Sequence, residues 1–467
     1  MPRPCCRIFS APRVNISNPA DGSLIRELAE DDAQAVAAKY AAARKAQPGW
    51  AALPLEDRLA TILRFKQLVE GRKNELAQTL TRETGKPITQ ARNELNALAA
   101  RIDFFLENTK SALGAESVLA EAQMREQITH EPLGVVANIS AWNYPYFVGS
   151  NVFVPALLAG NAVLYKPSEF AALTGLAIGE MLHAAGVPRE VFAVVIGAGG
   201  TGAHLVEQPV DGIFFTGSYA TGVRIAAACA PRMVKLQLEL GGKDPTYVCE
   251  DADPKTAAES LADGAMYNAG QSCCSVERIY VHEKIHERFV AAFVASVKGF
   301  KSGDPLDEAT YLGPLARAPQ LAVLERQVAD ALAKGAKLLA GGKRVARPGN
   351  WFEATVFSNV DHSMELMREE SFGPLIGIQK VADDAEALRL MNDTAYGLTA
   401  GVYTPDEARA RRILAQVRSG SVYWNCCDRV SPRLPWSGVG HSGMGLTLST
   451  YGIQAFTRPK AWHLRAI

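Results

Sequence analysis

The chain has 467 residues, enough for two to four domains and for a large core that needs no disulfide or metal staples. Its 49 Lys and Arg balance 49 Asp and Glu, so it lacks the basic footprint of a nucleic-acid or polybasic membrane binder. With 48% apolar and 21% charged residues it is neither disordered nor collagen-like, and no run of about 18 or more apolar residues marks a membrane span.

The N-terminal stretch Met1-Pro2-Arg3-Pro4-Cys5-Cys6 has no apolar run after its basic residue, so a soluble, cytoplasmic protein is expected, with no membrane or nucleic-acid partner. In the first hundred residues the pattern is mainly helical, as in Leu59, Ile62, Leu63 and Val69, then Leu95, Leu98, Ile102 and Phe105. From Leu133 short apolar runs alternate with helical periods. Residues 134–139, 162–165, 192–196 and 212–215 read as buried strands, with a helix over 174–185. A second series follows residue 242, with strands at 246–248, 279–281 and 422–424 and helices at 254–269, 284–297 and 319–333. The fold class is therefore α/β, with two open doubly wound domains. Residues 111–130 fit neither series and read as a protruding strand pair, as does the tail 451–467.

Cysteines and histidines show no metal spacing. Six of the eight cysteines form the doublets Cys5-Cys6, Cys273-Cys274 and Cys426-Cys427, which differ from Cys-x-x-Cys, and no His-Glu-x-x-His occurs, so no metal site is predicted. Gly197-Ala198-Gly199-Gly200-Thr201-Gly202 fits Gly-x-Gly-x-x-Gly, but no carboxylate ends the following strand at Phe214-Phe215-Thr216-Gly217-Ser218. The string reads as a tight turn, and no pyrophosphate is placed there. Gly217 and Ser218 are a better candidate, because a helix start after a strand presents free amides to a phosphate, or else forms a simple strand-to-helix turn. Ile139 to Pro145 and Lys166-Pro167-Ser168-Glu169 follow strand ends, where open α/β sheets bind ligands; a lysine and a glutamate there suit two ribose hydroxyls or a solvated cap. Glu239, set among apolar residues and followed by two glycines, has its neutral form favoured by desolvation, which suits a general base or a buried structural acid. Cys273 lies in a glycine-bounded turn and reads as a nucleophile or an inert buried thiol.

Taken together, Trp142-Asn143-Tyr144-Pro145, Lys166-Pro167-Ser168-Glu169, Phe215-Thr216-Gly217-Ser218, Glu239-Leu240-Gly241-Gly242-Lys243, Gly270-Gln271-Ser272-Cys273 and Glu370-Ser371-Phe372-Gly373-Pro374 resemble the aldehyde dehydrogenase superfamily in order and spacing. The resemblance implies a Rossmann-like cofactor domain (1–110 and 133–241), a catalytic domain (242–445) and a small β oligomerisation arm (111–132 and 446–467), assembled as a homodimer or homotetramer. It implies Cys273 as nucleophile, Asn143 with the Cys273 amide as oxyanion donors, and Glu239 as the base that activates water. Lys166 and Glu169 would grip the adenosine ribose, Gly217 and Ser218 lie near the pyrophosphate, and Glu370 and Phe372 hold the nicotinamide ribose and ring. Ile139, Ser140, Trp142, Ser168 and Leu240 complete the implied cofactor set. A glutamate on the 2′-hydroxyl repels a 2′-phosphate, so NAD is the expected cofactor, with NADP possible.

For the aldehyde, the match puts Tyr144, Phe147 and Trp436 on the tunnel wall, with Asn151 and Cys274 beside them, which suits an apolar or aromatic substrate. Asn151 stands where semialdehyde enzymes often carry a basic residue, so a carboxylate-binding arginine is missing there. Arg429 and Arg433 offer a cation or are solvated loop residues. A CoA-acylating activity would not need Glu239, and a non-catalytic binding protein would not need Cys273, Glu239 and Asn143 together. A low-pKa thiolate at Cys273 would also make the enzyme reversibly oxidisable.

Overall fold

The computed structural model describes residues 12–466; the Cys5-Cys6 doublet and the reading of the N-terminus lie outside the described residues. Val135–Ile139 and Ala162–Lys166 are buried along their whole length, as expected of strands covered on both faces. They lie in a six-stranded sheet ordered Gly443–Met444, Lys235–Glu239, Gly212–Thr216, Val135–Ile139, Ala162–Lys166, Phe192–Val194. All neighbours are parallel except the first pair. From Val135–Ile139 the chain moves outward through Ala162–Lys166 and Phe192–Val194, then returns to the other side through Gly212–Thr216 and Lys235–Glu239. The direction thus reverses between Val135–Ile139 and Gly212–Thr216, where such sheets open a crevice at their carboxyl ends.

A seven-stranded sheet holds the second apolar cluster, in the order Lys337–Ala340, Thr355–Ser358, Leu375–Val381, Val276–His282, Asp244–Val248, Thr399–Tyr403, Ser421–Trp424. Only its Lys337–Ala340 edge is antiparallel. Two doubly wound α/β sheets are therefore present, as the sequence suggested. The predicted elements are recovered with shifted ends: Phe192–Val194 stops two residues short, and the helix predicted over 254–269 ends at Met266 and continues as a 3-10 turn, Tyr267–Gly270.

The segment that fitted neither series forms the hairpin Glu116–Ala120 and Met124–Pro132. The tail strand Thr457–Arg465 pairs antiparallel with all nine residues of Met124–Pro132, giving a three-stranded sheet. Three expectations need correction. The mainly helical first hundred residues also contain an antiparallel hairpin, Arg13–Ser17 with Leu24–Ala29. Its outer strand is mostly exposed, so no apolar alternation marked it. The tail is not strand from Tyr451, since Ser449–Gln454 is a helix and pairing begins at Thr457. Residues Gly443–Met444, read with the second unit, pair with Lys235–Glu239 and so extend the first sheet.

One helix matters most for the site. In Ile88–Ala112, Ile88, Ala91, Leu95, Leu98, Ile102 and Phe105 recur at helical spacing and enter the first core. A second face of the same helix buries Gln90, Glu94 and Arg101. Among the described residues no helix is long and apolar enough to cross a membrane.

Candidate functional site

A cavity of about 590 Å³ lies beside the carboxyl end of Lys235–Glu239 and the loop before Val276–His282. Glu239, Cys273, Cys274, Tyr144, Phe147, Asn151, Arg429 and Trp436 all line it, so eight of the predicted residues share one chamber. Arg433 does not line it and is exposed.

The loop that carries Cys273 is held in an unusual backbone. Asn268, Ala269 and Gly270 have φ of 54°, 53° and 70° in succession. Left-handed non-glycine residues cost of order 1–3 kcal/mol each and persist only where their surroundings impose them. Here the Asn268 amide donates to Gln90 Oε1 at 2.9 Å, and Asn268 Nδ2 donates to the carbonyls of Asn143 (3.3 Å) and Gln271 (3.1 Å). A Cβ on Gly270 would lie 2.2 Å from the Gly373 carbonyl oxygen, so only glycine fits. Asn143 follows the strand Val135–Ile139 and donates from Nδ2 to the Gln271 carbonyl at 3.1 Å. A primary amide has two N–H groups, so one remains for an oxygen near Cys273.

Glu239 is buried at the end of its strand. Its Oε1 accepts from Trp436 Nε1 at 3.0 Å. Burial pushes the carboxyl up to about 7, against hydrogen bonds from Trp436 and the Cys273 thiol. A hydrogen bond with Cys274, burial and the negative charge of Glu239 hold the Cys273 thiol well above its ordinary range. This corrects the expectation of a low-pKa thiolate: the sulfur rests protonated, beside a carboxylate able to take its proton.

The glycines after Glu239 have separate reasons. A Cβ on Gly241 would lie 2.5 Å from Glu370 Oε1, and one on Gly242 would lie 2.7 Å from the Cys273 carbonyl oxygen. The Gly242 amide donates to Glu370 Oε1 at 3.0 Å, and burial, then the charge of Glu277, pushes the Glu370 carboxyl up to about 8. Phe372 sits at φ 45° with its ring 5.5 Å from that of Trp142, edge to face. This segment is fixed from below by residues whose role the sequence did not reveal. Glu277 accepts from the amides of Ser371 (2.8 Å) and Phe372 (3.0 Å) and pairs with buried Lys243 at 2.6 Å.

The remaining cofactor candidates gather around the crevice of the six-stranded sheet. Ile139 ends one strand and Ser140 follows it, its hydroxyl buried without a partner among the described residues. Lys166 ends the next, with Nζ donating to the Pro167 carbonyl at 3.2 Å, while Ser168 Oγ donates to Glu169 at 3.3 Å. Burial pushes the Lys166 ammonium down, against the charge of Glu169. The Gly217 amide is bonded to the Glu239 carbonyl at 3.0 Å. Ser218 caps the helix Tyr219–Cys229, and Leu240 packs where a Cβ on Gly222 would meet it at 2.7 Å. An orphan hydroxyl, a capped helix start and a Lys/Glu pair around one switch-point crevice fit a dinucleotide. Around the Gly197–Gly202 string, by contrast, Glu30 and Asp31 take up the Ala198 amide and the Thr201 hydroxyl. Among the described residues no cluster of three or more ligating side chains suits a metal ion.

Three further residues line the cavity unforeseen. Asp428, at φ 48°, accepts from Cys274 Sγ (3.0 Å) and Ser272 Oγ (3.3 Å), the residues on either side of Cys273. Glu94 pairs with buried Lys86 and accepts from the Tyr146 amide at 2.9 Å. Arg101 lies over the Phe147 ring at 3.9 Å. Helical spacing of polar residues in 88–112 was the only trace of Glu94 and Arg101 in the sequence.

The aldehyde dehydrogenase family matches residues 9–462. Succinate-semialdehyde dehydrogenase [NADP(+)] GabD of Escherichia coli is 35% identical over 451 residues, 96% of this chain and 93% of that protein. Betaine aldehyde dehydrogenase of Cereibacter sphaeroides is 35% identical over 444 residues, 95% and 92% of the two chains. Among solved structures, an E. coli NADP-dependent enzyme superposes with a TM-score of 0.95 at 32% identity, covering 97% of this chain and 95% of that one. PnpE in complex with nicotinamide adenine dinucleotide superposes with a TM-score of 0.94 at 35% identity, covering 97% and 94%. The chain belongs to the aldehyde dehydrogenase family, the NAD(P)-dependent oxidoreductases that act on the aldehyde group.

Proposed function

We propose that the protein oxidises an aldehyde to the corresponding carboxylic acid through a covalent intermediate on Cys273. The observation that carries this reading is the meeting of the Cys273 thiol and the Glu239 carboxyl, poised near neutrality, on one cavity wall, with a free Asn143 amide N–H beside the loop that carries the thiol. Glu239 takes the thiol proton while the sulfur bonds to the aldehyde carbon. The resulting oxyanion of the thiohemiacetal is held by Asn143 Nδ2 and the Cys273 amide. NAD, or NADP, when bound in the crevice supplies the acceptor for the hydride that leaves this carbon. What remains on Cys273 is a thioester. Glu239, its first proton passed to solvent, removes a proton from water as that water attacks the thioester, and the acid leaves as the thiol reforms.

Transfer to CoA is the second reading. It leaves Glu239 without its second task, the activation of water, and a buried carboxylate kept against its desolvation cost argues for hydrolysis. The named relatives act on an anionic semialdehyde and on a cationic aldehyde at equal identity, so similarity alone does not choose the substrate. We also assign cofactor binding to the six-stranded sheet, and association of copies to the sheet formed by Met124–Pro132 and Thr457–Arg465. The test is NADH formation against a panel of aldehydes, with and without CoA. Cys273→Ala is expected to lower turnover at least about a thousandfold, in line with loss of a nucleophile. Full activity in that variant, or a strict need for CoA, refutes the reading.

A further inference from the structure

The second face of Ile88–Ala112 turns Gln90, Glu94 and Arg101 toward the cavity, and their commitments differ. Gln90 holds the Asn268 amide, and Glu94 is occupied by Lys86 and the Tyr146 amide. Arg101 is 3% exposed, yet among the described residues its guanidinium makes one hydrogen bond, to the Val430 carbonyl at 3.3 Å, and no ion pair. Its Nε has no partner among the described residues. Burial pushes Arg101 down to about 10, against the charge of Glu94 on the same helix, so the cation persists at neutral pH although Glu94 is itself paired with Lys86. A buried cation without a direct ion-pair partner is costly, and a guanidinium fork is shaped for a carboxylate.

The surroundings define what would bring that carboxylate. Arg101 lies over one aromatic ring, Phe147, which stacks on Tyr144 with centroids 5.8 Å apart and planes 4° from parallel. Both rings wall the cavity that contains Cys273, and Arg101 lines the same cavity. Of the other carboxylates lining the cavity, Asp428 is turned to the Ser272 hydroxyl and the Cys274 thiol, Asp263 to the Tyr311 hydroxyl and Glu239 to Trp436. Arg429 is exposed at the cavity margin and is a weaker candidate for the same task.

We propose that Arg101 is a specificity-determining residue and that the substrate is an aldehyde carrying a carboxylate at the end remote from the aldehyde carbon, its body lying along Phe147 and Tyr144. This rests on the aldehyde oxidation proposed above. It replaces the apolar tunnel expected from the sequence with an apolar wall that ends in a cation, supplied by a helix rather than by position 151 or the loop of Arg429.

The test uses the full chain with NAD or NADP and three aldehydes of matched length, ending in a carboxylate, its methyl ester or a trimethylammonium group. The quantity read is the ratio of kcat/KM values, so a general loss of activity in a variant cancels. Wild type is expected to favour the carboxylate over the ester at least about tenfold, chiefly through KM, the scale of one charged hydrogen-bonded pair. In Arg101→Gln the ratio is expected to fall to near one. A wild-type ratio at or below one, a preference for the cation, or an unchanged ratio in Arg101→Gln overturns the proposal. Should Arg101→Gln not fold, competition on the wild type decides: a dicarboxylate must inhibit more tightly than its monoester, and equal inhibition overturns the proposal. If none of the aldehydes yields NADH or NADPH, the oxidation reading itself fails; if the ester is oxidised without preference, only the role of Arg101 fails.

Discussion

Glu239→Gln tests base and burial together. The carboxyl rises from an ordinary 4.5 to about 7 because it is buried, and each tenfold change in proton affinity is worth about 1.4 kcal/mol. Ionised Glu239 therefore costs the fold about 3 kcal/mol relative to the unfolded chain. Because the folded value lies above the unfolded one, that stability is present below about pH 4.5 and is lost as pH rises through about 7. Glutamine keeps the shape and an acceptor for Trp436 but carries no charge. The variant should match wild type in thermal stability at pH 5 and exceed it at pH 9. In rapid-mixing measurements of NADH formation it should give a burst followed by turnover slowed about 100- to 10,000-fold, the usual worth of a general base. The burst itself should slow at pH 7, because the Cys273 thiol is held protonated, and recover as pH rises. Wild-type turnover should fall tenfold per pH unit below about 7, and the variant should lack that limb. An unchanged steady-state rate with the limb intact would refute the assignment.

Two further outcomes follow from partners of the site. Trp436→Phe removes the donor to Glu239, a bond that favours the charged carboxylate, so the acidic limb of the pH–rate profile should move to higher pH; a limb that stays in place means Trp436 only packs. Lys243→Met leaves Glu277 buried without its partner and should destabilise the protein by about 3–5 kcal/mol, read by chemical denaturation, with weakened cofactor binding because Glu277 carries the Ser371 and Phe372 amides. A stability loss with unaltered cofactor affinity would show that this pair does not position the Glu370–Phe372 segment.

What the sequence made legible was whatever sits close together along the chain. The strand Val135–Ile139 followed by Trp142-Asn143 is local, and so is a carboxylate followed by two glycines. The misfit of residues 111–130 located a real hairpin because the surrounding α/β rhythm breaks there. What stayed hidden depends on pairing at a distance. Trp436 and Glu239 are 197 residues apart, and Arg101 and Val430 are 329 apart. In Ile88–Ala112 the apolar stripe is read first, and polar residues at the same spacing resemble a solvated face until the fold buries them. Lys243 and Glu277 were hidden for the same reason, since neither shows from its neighbours that the other will stand beside it.

A carboxyl pushed toward neutrality does not by itself mark a base, as Glu83 makes plain. Burial raises it to about 7, the same as Glu239. Both of its oxygens, however, are taken by backbone amides, Leu173 at 2.9 Å and Thr174 at 3.0 Å, at the start of the helix Ala172–Ala185. It caps a helix and does not line the cavity that contains Cys273. Asp244, raised by burial to about 8, is likewise spent on the Thr399 amide and hydroxyl. Glu239 differs in what its oxygens meet: Trp436 holds one, and the Cys273 thiol and the cavity lie within reach of the carboxylate. Burial tunes all three acids, but only in Glu239 does the tuned group face a space where an aldehyde and a water can stand. The same comparison separates Arg101 from Arg278, another fully buried guanidinium, whose donors are spent on the carbonyls of Lys243, Leu390 and Met391. In both pairs the unspent hydrogen-bonding capacity, more than burial or charge, distinguishes a group free to meet substrate from one that supports the fold.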